Sequence, residues 1–341
     1  MSHEDDPGRS PASPPGVGCR EAGREKGPYA LETRRIGSLE ASTVGIGCNN
    51  FGWRLDEAAT AGVVGASLEA GINFFDTADS YGNTKSEEYL GRALGGRRDE
   101  VVVATKFGSR IDEGRQGARP EYVRQAAEDS LRRLGTDRID LYQLHKPDPE
   151  VPIAETLGAL DDLVRAGKVR EIGCSNFSAG QLREAEDAAS GGSARFVSVQ
   201  NEYSIMHREP EYEVIPECER LALALIPYFP LASGLLTGKY RKGRPLPEGT
   251  RIGKGGRFQD LLSQENLSVV ESLVEFAESR GHTILELAFS WLAARPTVGP
   301  VIAGATSPEQ VRANAAAAEW TLSEAEIVEL EEISGEPLRD G

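Results

Sequence analysis

Cysteine is scarce and scattered. The chain has four, Cys19, Cys48, Cys174 and Cys218, with no CxxC pair among them. That spacing speaks against a disulfide scaffold and for reduced thiols in a cytoplasmic protein. Histidine is equally rare, with four in the chain and none at zinc-ligand spacing. A metal-dependent barrel hydrolase needs several histidine and carboxylate ligands on strand ends and finds little support. Cations are outnumbered, 38 Lys and Arg against 54 Asp and Glu, for a formal net charge of −16. Such a field repels nucleic acid and anionic membrane, so neither is expected as a partner. It also requires that any anionic cofactor be held by local donors. Long apolar runs are missing too: no segment is long enough to span a bilayer, and no signal-peptide core is expected at the N-terminus.

What is present suits a globular enzyme. At 341 residues, 39% hydrophobic and 27% charged, the chain has the length for one barrel-sized core. Residues 1–27 are rich in Pro, Gly, Ser and charge and read as a disordered tail, leaving 28–341 as a single domain. Strand-like runs follow at 42–47, 72–76, 101–106, 140–145, 171–175, 198–200, 225–230 and 298–304. Helical periodicity appears at 57–70, 85–94, 120–134, 153–166, 179–189, 212–221, 264–279 and 308–317. This alternation argues for parallel strands joined by right-handed crossovers. Eight such units predict an α/β fold, a (β/α)8 TIM barrel. A doubly wound sheet would need a glycine fingerprint turn, and the stretch from Gly45 to Gly52 has too many residues before its last glycine. Residues 34–39 read as an N-terminal hairpin able to plug the barrel floor. Long loops at 108–118 and 237–260 leave strand C-termini, the face that carries substrate in such barrels. An extra C-terminal helix at 322–332 starts at Ser323-Glu-Ala-Glu326, a capping box.

The chemistry gathers at the predicted strand ends. The run 71–91, GINFFDTADSYGNTKSEEYLG, opens as a strand and stops in Asp76, Thr77, Asp79, Ser80 and Tyr81. The third strand ends in Lys106, whose ammonium needs a partner, and Asp76 is the neighbouring candidate. The fourth ends in His145. An ammonium beside Tyr81 stabilises the phenolate and lowers a phenol pKa of about 10, while Asp76 balances the lysine. His145 can hydrogen-bond a carbonyl oxygen and bring it to the phenol. Such a site protonates an oxygen while a nucleophile adds to its carbon. No serine or cysteine is paired with a base, so nucleophilic hydrolysis is disfavoured. Asn50, Phe51 and Trp53, after the first strand, are read as walls of an apolar or aromatic substrate pocket. At the last strand, Gly304 leads through Thr306 and Ser307 to Pro308, a strong helix start whose free N–H groups favour a phosphate.

FFDTADSYG, VVVATKFG, LYQLHKPDP, IGCSNFS, VQNEYS, PYFPLASGLLTGKY and VIAGATSPEQVRAN occur in this order. Together they resemble the aldo-keto reductase superfamily, in the branch that also holds bacterial aldo/keto reductases and potassium-channel β subunits. The resemblance implies a (β/α)8 barrel that binds extended NADPH and reduces a small-molecule aldehyde or ketone. Tyr81 is then the acid, supported by Asp76, Lys106 and His145. Ser175, Asn176 and Gln200 are implied partners of the nicotinamide carboxamide, and Tyr228 stacks on its ring. Cys48 and Asn49, with Asp76, lie where relatives touch the nicotinamide side. Phe229, Pro230, Leu231, Ser233, Gly234 and Lys239 line the pyrophosphate channel, with Arg251 covering it. Gly304, Thr306, Ser307, Gln310 and Asn314 hold the adenosine end. Gln310 stands where some relatives carry arginine, so NADP(H) is preferred and NAD(H) is the alternative. Phe229 replaces a common serine, Ala303 a common proline and Ala313 an acidic residue. A cofactor-sensing regulatory subunit is the alternative function, and the intact His145 counts against it. Oligomeric state stays open.

Overall fold

The computed structural model describes residues 29, 31–189, 191–247, 252 and 259–335. The expected tail at 1–27 and Arg251 lie outside the described residues, as does much of the 237–260 loop. An antiparallel hairpin, β1 (Thr33–Ile36) with β2 (Leu39–Ser42), comes first. Eight parallel strands follow: β3 (Val44–Gly47), β4 (Phe74–Asp76), β5 (Val102–Phe107), β6 (Ile139–Leu144), β7 (Val169–Ser175), β8 (Phe196–Glu202), β9 (Ala224–Tyr228) and β10 (Val301–Gly304). The sheet runs β10-β3-β4-β5-β6-β7-β8-β9. Its two ends meet where Leu225 N–H donates to the Thr297 carbonyl at 2.8 Å and Gly299 N–H donates back to Leu225 at 2.8 Å. The fold is a (β/α)8 TIM barrel.

The helices are α1 (Glu57–Glu69), α2 (Lys85–Leu94), α3 (Pro120–Leu134), α4 (Ile153–Arg165), α5 (Ala179–Ala188), α6 (Val214–Leu221), α7 (Gln264–Glu278), α8 (Ile284–Ala293), α9 (Pro308–Ala316) and α10 (Glu324–Ser334). Their starts follow from local chemistry. Ser178, Thr283 and Ser323 each form a capping box with a Gln or Glu three residues on, and Ser307 caps α9 ahead of Pro308. Helix α8 was not expected from sequence: ILELAFSWLA is apolar nearly all round and buried, so it shows no amphipathic stripe. Residues 298 and 299, read as the start of the last strand, serve instead with Thr297 as the bridge that closes the ring.

Strand alternation divides the core. Inward positions Phe74, Val102, Ala104, Leu141, Ile226 and Ile302 meet Ile36, Leu39 and Ala41 from the hairpin, which plugs the N-terminal end. Outward positions such as Val103, Phe107, Tyr142 and Leu144 pack beneath the helices. Each large apolar side chain buried in either layer stabilises the fold by about 1.5–3 kcal/mol. Above the plug the inward positions turn polar. Among the described residues no helix is long and apolar enough to cross a membrane.

Candidate active site

Two residues beyond the apolar plug, the same inward faces present Asp76 on β4, Lys106 on β5 and Gln143 on β6, and β8 adds Gln200. Lys106, fully buried, donates from Nζ to Asp76 Oδ2 at 2.5 Å and to the Thr77 carbonyl at 2.9 Å. Asp76 Oδ1 accepts from Gln200 Nε2 at 2.9 Å and from Gln143 Nε2 at 3.2 Å. A buried ion pair is tolerable when its remaining lone pairs are satisfied, and the two amides do that here. Lys106 Nζ lies 3.5 Å from Tyr81 Oη and 5.0 Å from its ring centroid. His145 meets that ring edge to face, centroids 5.7 Å apart. The structure thus brings Asp76, Tyr81, Lys106 and His145 together, and adds Gln143, which the sequence reading missed. A glutamine at an inward position of the apolar run LYQL was the available signal.

Tyr81 arrives on a tight loop between β4 and α2. Gly82, Asn83 and Thr84 have successive φ values of +57°, +55° and +74°. A Cβ on Gly82 would stand 2.3 Å from the Phe51 carbonyl oxygen, so only glycine fits there. Thr77 Oγ1 and Ser86 Oγ are 2.8 Å apart, and Ser86 donates to the Cys48 carbonyl at 2.9 Å, joining this loop to the turn after β3.

The electrostatics differ from the expectation in one respect. Burial pushes the Tyr81 phenol above its ordinary pKa; Lys106 pulls it down but does not win. The resting group is a neutral phenol holding its proton, not an acidified one. Burial also opposes the Lys106 ammonium, yet Asp76 and Tyr81 outweigh it and keep its pKa above the usual lysine value. Burial, with Lys106 and Lys146 nearby, takes His145 down to about 3, so its ring is neutral at working pH. Its Nδ1 is buried without a partner among the described residues.

The other expected residues fall into three groups. Ser175, Asn176 and Tyr228 form one chain: Tyr228 Oη donates to Asn176 Oδ1 at 2.8 Å, and Asn176 Nδ2 donates to Ser175 Oγ at 2.9 Å. Ser175 Oγ in turn donates to the Gln200 carbonyl at 2.7 Å. After β9, Phe229 and Ser233 take left-handed backbone (φ +52° and +58°), as do Ala232 and Gly234. Pro230 is buried beside them, Leu231 half-buried, and Lys239 Nζ sits against Gly234. At α9, Thr306 N–H and Oγ1 donate to Gln310 Oε1 at 2.8 and 3.1 Å. Asn314 Nδ2 is buried with no partner among the described residues, and Gly304 is exposed.

The turn after β3 departs from the expected substrate wall. A single 3-10 turn, Cys48–Asn50, rotates side chains inward, leaving Asn50 and Phe51 buried. Asn50 Nδ2 points to the Ala305 carbonyl at 3.5 Å. The Cys48 thiol is buried against the Ile46 carbonyl and raised in pKa by that burial, so it is no reactive group. Trp53, 65% exposed, does face open space. It lines a pocket of about 410 Å³ with Asn49, Ser80, Tyr81, Asn83 and Lys85.

The aldo/keto reductase family profile matches residues 43–335, from β3 to the end of α10. The chain belongs to the aldo/keto reductase family. As an aldo-keto reductase it is an oxidoreductase. It is 34% identical over 294 residues to aldo-keto reductase YhdN of Bacillus subtilis, covering 84% of this chain and 87% of that one. It is also 34% identical over 316 residues to aldo-keto reductase yakc [NADP(+)] of Schizosaccharomyces pombe, covering 89% and 91%. Among solved structures, aldo-keto reductase AKR11C1 from Bacillus halodurans, in its holo form, superposes with a TM-score of 0.74 at 32% identity, covering 89% of this chain and 96% of that one.

Proposed function

We propose that this aldo-keto reductase reduces a small aldehyde or ketone to an alcohol with NADP(H), Tyr81 giving the proton. The carrying observation is the phenol of Tyr81 held 3.5 Å from a buried ammonium that is itself paired to Asp76. The neutral phenol keeps its proton until charge develops on the carbonyl oxygen, and Lys106 then stabilises the phenolate left behind. His145, neutral and edge-on to Tyr81, orients that oxygen by hydrogen bonding. Lys106 and Asp76 are themselves buried, so the ammonium acts on the phenol from a low-dielectric site.

The polar groups fit a dinucleotide. The unpartnered Asn314 amide and the capped start of α9 suit the adenosine phosphate end. The left-handed backbone through Ser233 and Gly234, with Lys239, suits the pyrophosphate. Ser175, Asn176, Gln200 and Tyr228 suit the nicotinamide. When bound, that ring supplies the hydride. NADP(H) is favoured by the yeast relative's name, which carries NADP(+); NAD(H) remains the alternative because Gln310 offers no charge. The free, buried Cys48, Cys174 and Cys218 support a reducing, cytoplasmic setting.

The test is Tyr81→Phe. NADPH binding, followed by fluorescence, should persist while aldehyde turnover is lost. Turnover equal to the wild type refutes the assignment.

A further inference from the structure

One buried carboxyl lies two residues before Tyr81. Asp79 is 1% exposed. Its N–H donates to the Lys106 carbonyl at 3.0 Å, tying the loop to β5. Its Oδ2 accepts from Tyr122 Oη, on the first turn of α3, at 3.2 Å. Its Oδ1 is buried without a partner among the described residues. From α2 it faces Glu87, a buried carboxylate already bound by Thr105 Oγ1 of β5 and Arg133 Nε of α3, each at 2.6 Å. Buried Tyr142 of β6 stands on the same side, and Arg133 offsets the negative charge only in part because Glu87 holds it. Arg115 lies nearer the Tyr122 phenol. An ionised Asp79 would therefore have two neutral donors, the Tyr122 hydroxyl and the Ser80 N–H, and a like charge for a neighbour.

The segment it anchors is strained. Three left-handed residues follow Tyr81, two of them not glycine, and such backbone persists only where its surroundings over-determine it. We propose that Asp79 is a positioning residue for the proton donor: as a neutral acid it pins the loop so that Tyr81 Oη faces Lys106, and as a carboxylate it repels Glu87 and slackens the loop. Turnover is then gated by a buried acid that never touches substrate. The inference rests on Tyr81 being the proton donor. Burial first, and Glu87 second, raise the Asp79 pKa to about 7, which sets the gate at neutral pH.

The test is the pH dependence of kcat for a neutral aromatic aldehyde between about pH 5.5 and 9. Wild type, Asp79→Asn and Tyr122→Phe are compared, with NADPH affinity measured by fluorescence at each pH. Wild-type kcat should fall as pH rises through about 7, with NADPH affinity flat. Asp79→Asn cannot ionise and should keep one kcat across the range. Tyr122→Phe removes the donor to the carboxylate and should move the fall to higher pH. A fall that survives unmoved in Asp79→Asn overturns the proposal. So does a wild-type profile without the fall, or a loss in Asp79→Asn by the same factor at every pH with a flat wild type. If Asp79→Asn does not fold, the displacement in Tyr122→Phe decides alone, and no displacement is refutation. Failure of the Tyr81 assignment looks different: Tyr81→Phe would then reduce the aldehyde at the wild-type rate.

Discussion

Replacing Lys106 with methionine separates two roles of one ammonium. Its Nζ lies 3.5 Å from Tyr81 Oη and 2.5 Å from Asp76 Oδ2. At the first distance, with an effective dielectric near 20, a full phenolate charge gains about 5 kcal/mol from the ammonium. At about 1.4 kcal/mol per decade that is over three decades of rate. Asp76 cancels part of the field, so Lys106→Met should slow hydride transfer by roughly 10²- to 10³-fold. It should also destabilise the fold by about 3–5 kcal/mol, because Asp76 is left as a buried charge with only amide donors. Adding Asp76→Asn removes that charge: the double variant should regain most of the stability and none of the rate. The assays are single-turnover stopped-flow oxidation of bound NADPH by an aldehyde, and urea unfolding of the same preparations. A Lys106→Met rate within about threefold of the wild type would defeat the electrostatic reasoning. A double variant no more stable than the single one would defeat the account of the buried charge.

Four further outcomes are expected. Native Asp79 keeps its proton up to about pH 7, whereas the unfolded group releases it near 3.8, so the folded state binds more protons in that window and loses stability as pH rises through it. Asp79→Asn should therefore gain up to roughly 4 kcal/mol over the wild type between acid and neutral pH; an equal difference by urea unfolding at both ends refutes this. Gly82→Ala forces a Cβ to 2.3 Å from the Phe51 carbonyl in left-handed backbone, and should cost about 2 kcal/mol or more and lower kcat. Gly91→Ala, whose Cβ would lie as close to the Leu134 carbonyl on the outer helices, should destabilise comparably without changing kcat in the folded fraction. Finally, Gln310→Arg frees the Thr306 N–H and adds a cation at the start of α9, so NADPH should bind about tenfold tighter with NADH little changed, read by fluorescence titration.

Most of the barrel could be read from periodicity because its strands are apolar and its helices amphipathic. Helices α2 and α3 begin and end where the sequence pattern puts them, since Gly and Pro punctuate their ends. Helix α8 escaped because a segment buried on every side has no polar face to betray its period. At the site, Asp76, Lys106 and His145 stood out as polar groups at the ends of apolar runs. Gln143 did not, because a neutral amide inside a strand reads like any tolerated polar residue until its partner is known. The pairing of Asp79 with Tyr122 spans 43 residues and leaves no local pattern. The raised phenol of Tyr81 was invisible for another reason: charge neighbours can be guessed from motifs, but the depth of burial that overrides them is a property of the closed barrel.

Asp76 also says something about how this barrel comes together. Its partner Gln200 is 124 residues away, on β8, four strands along the sheet from β4. On a flat sheet those strands would stand about 19 Å apart, yet the amide reaches the carboxylate at 2.9 Å across the lumen. That bond is a gauge of curvature: it forms only when the sheet has bent far enough to bring β8 opposite β4. The proposed site therefore depends on the ring being round, and not on the presence of its strands and helices alone.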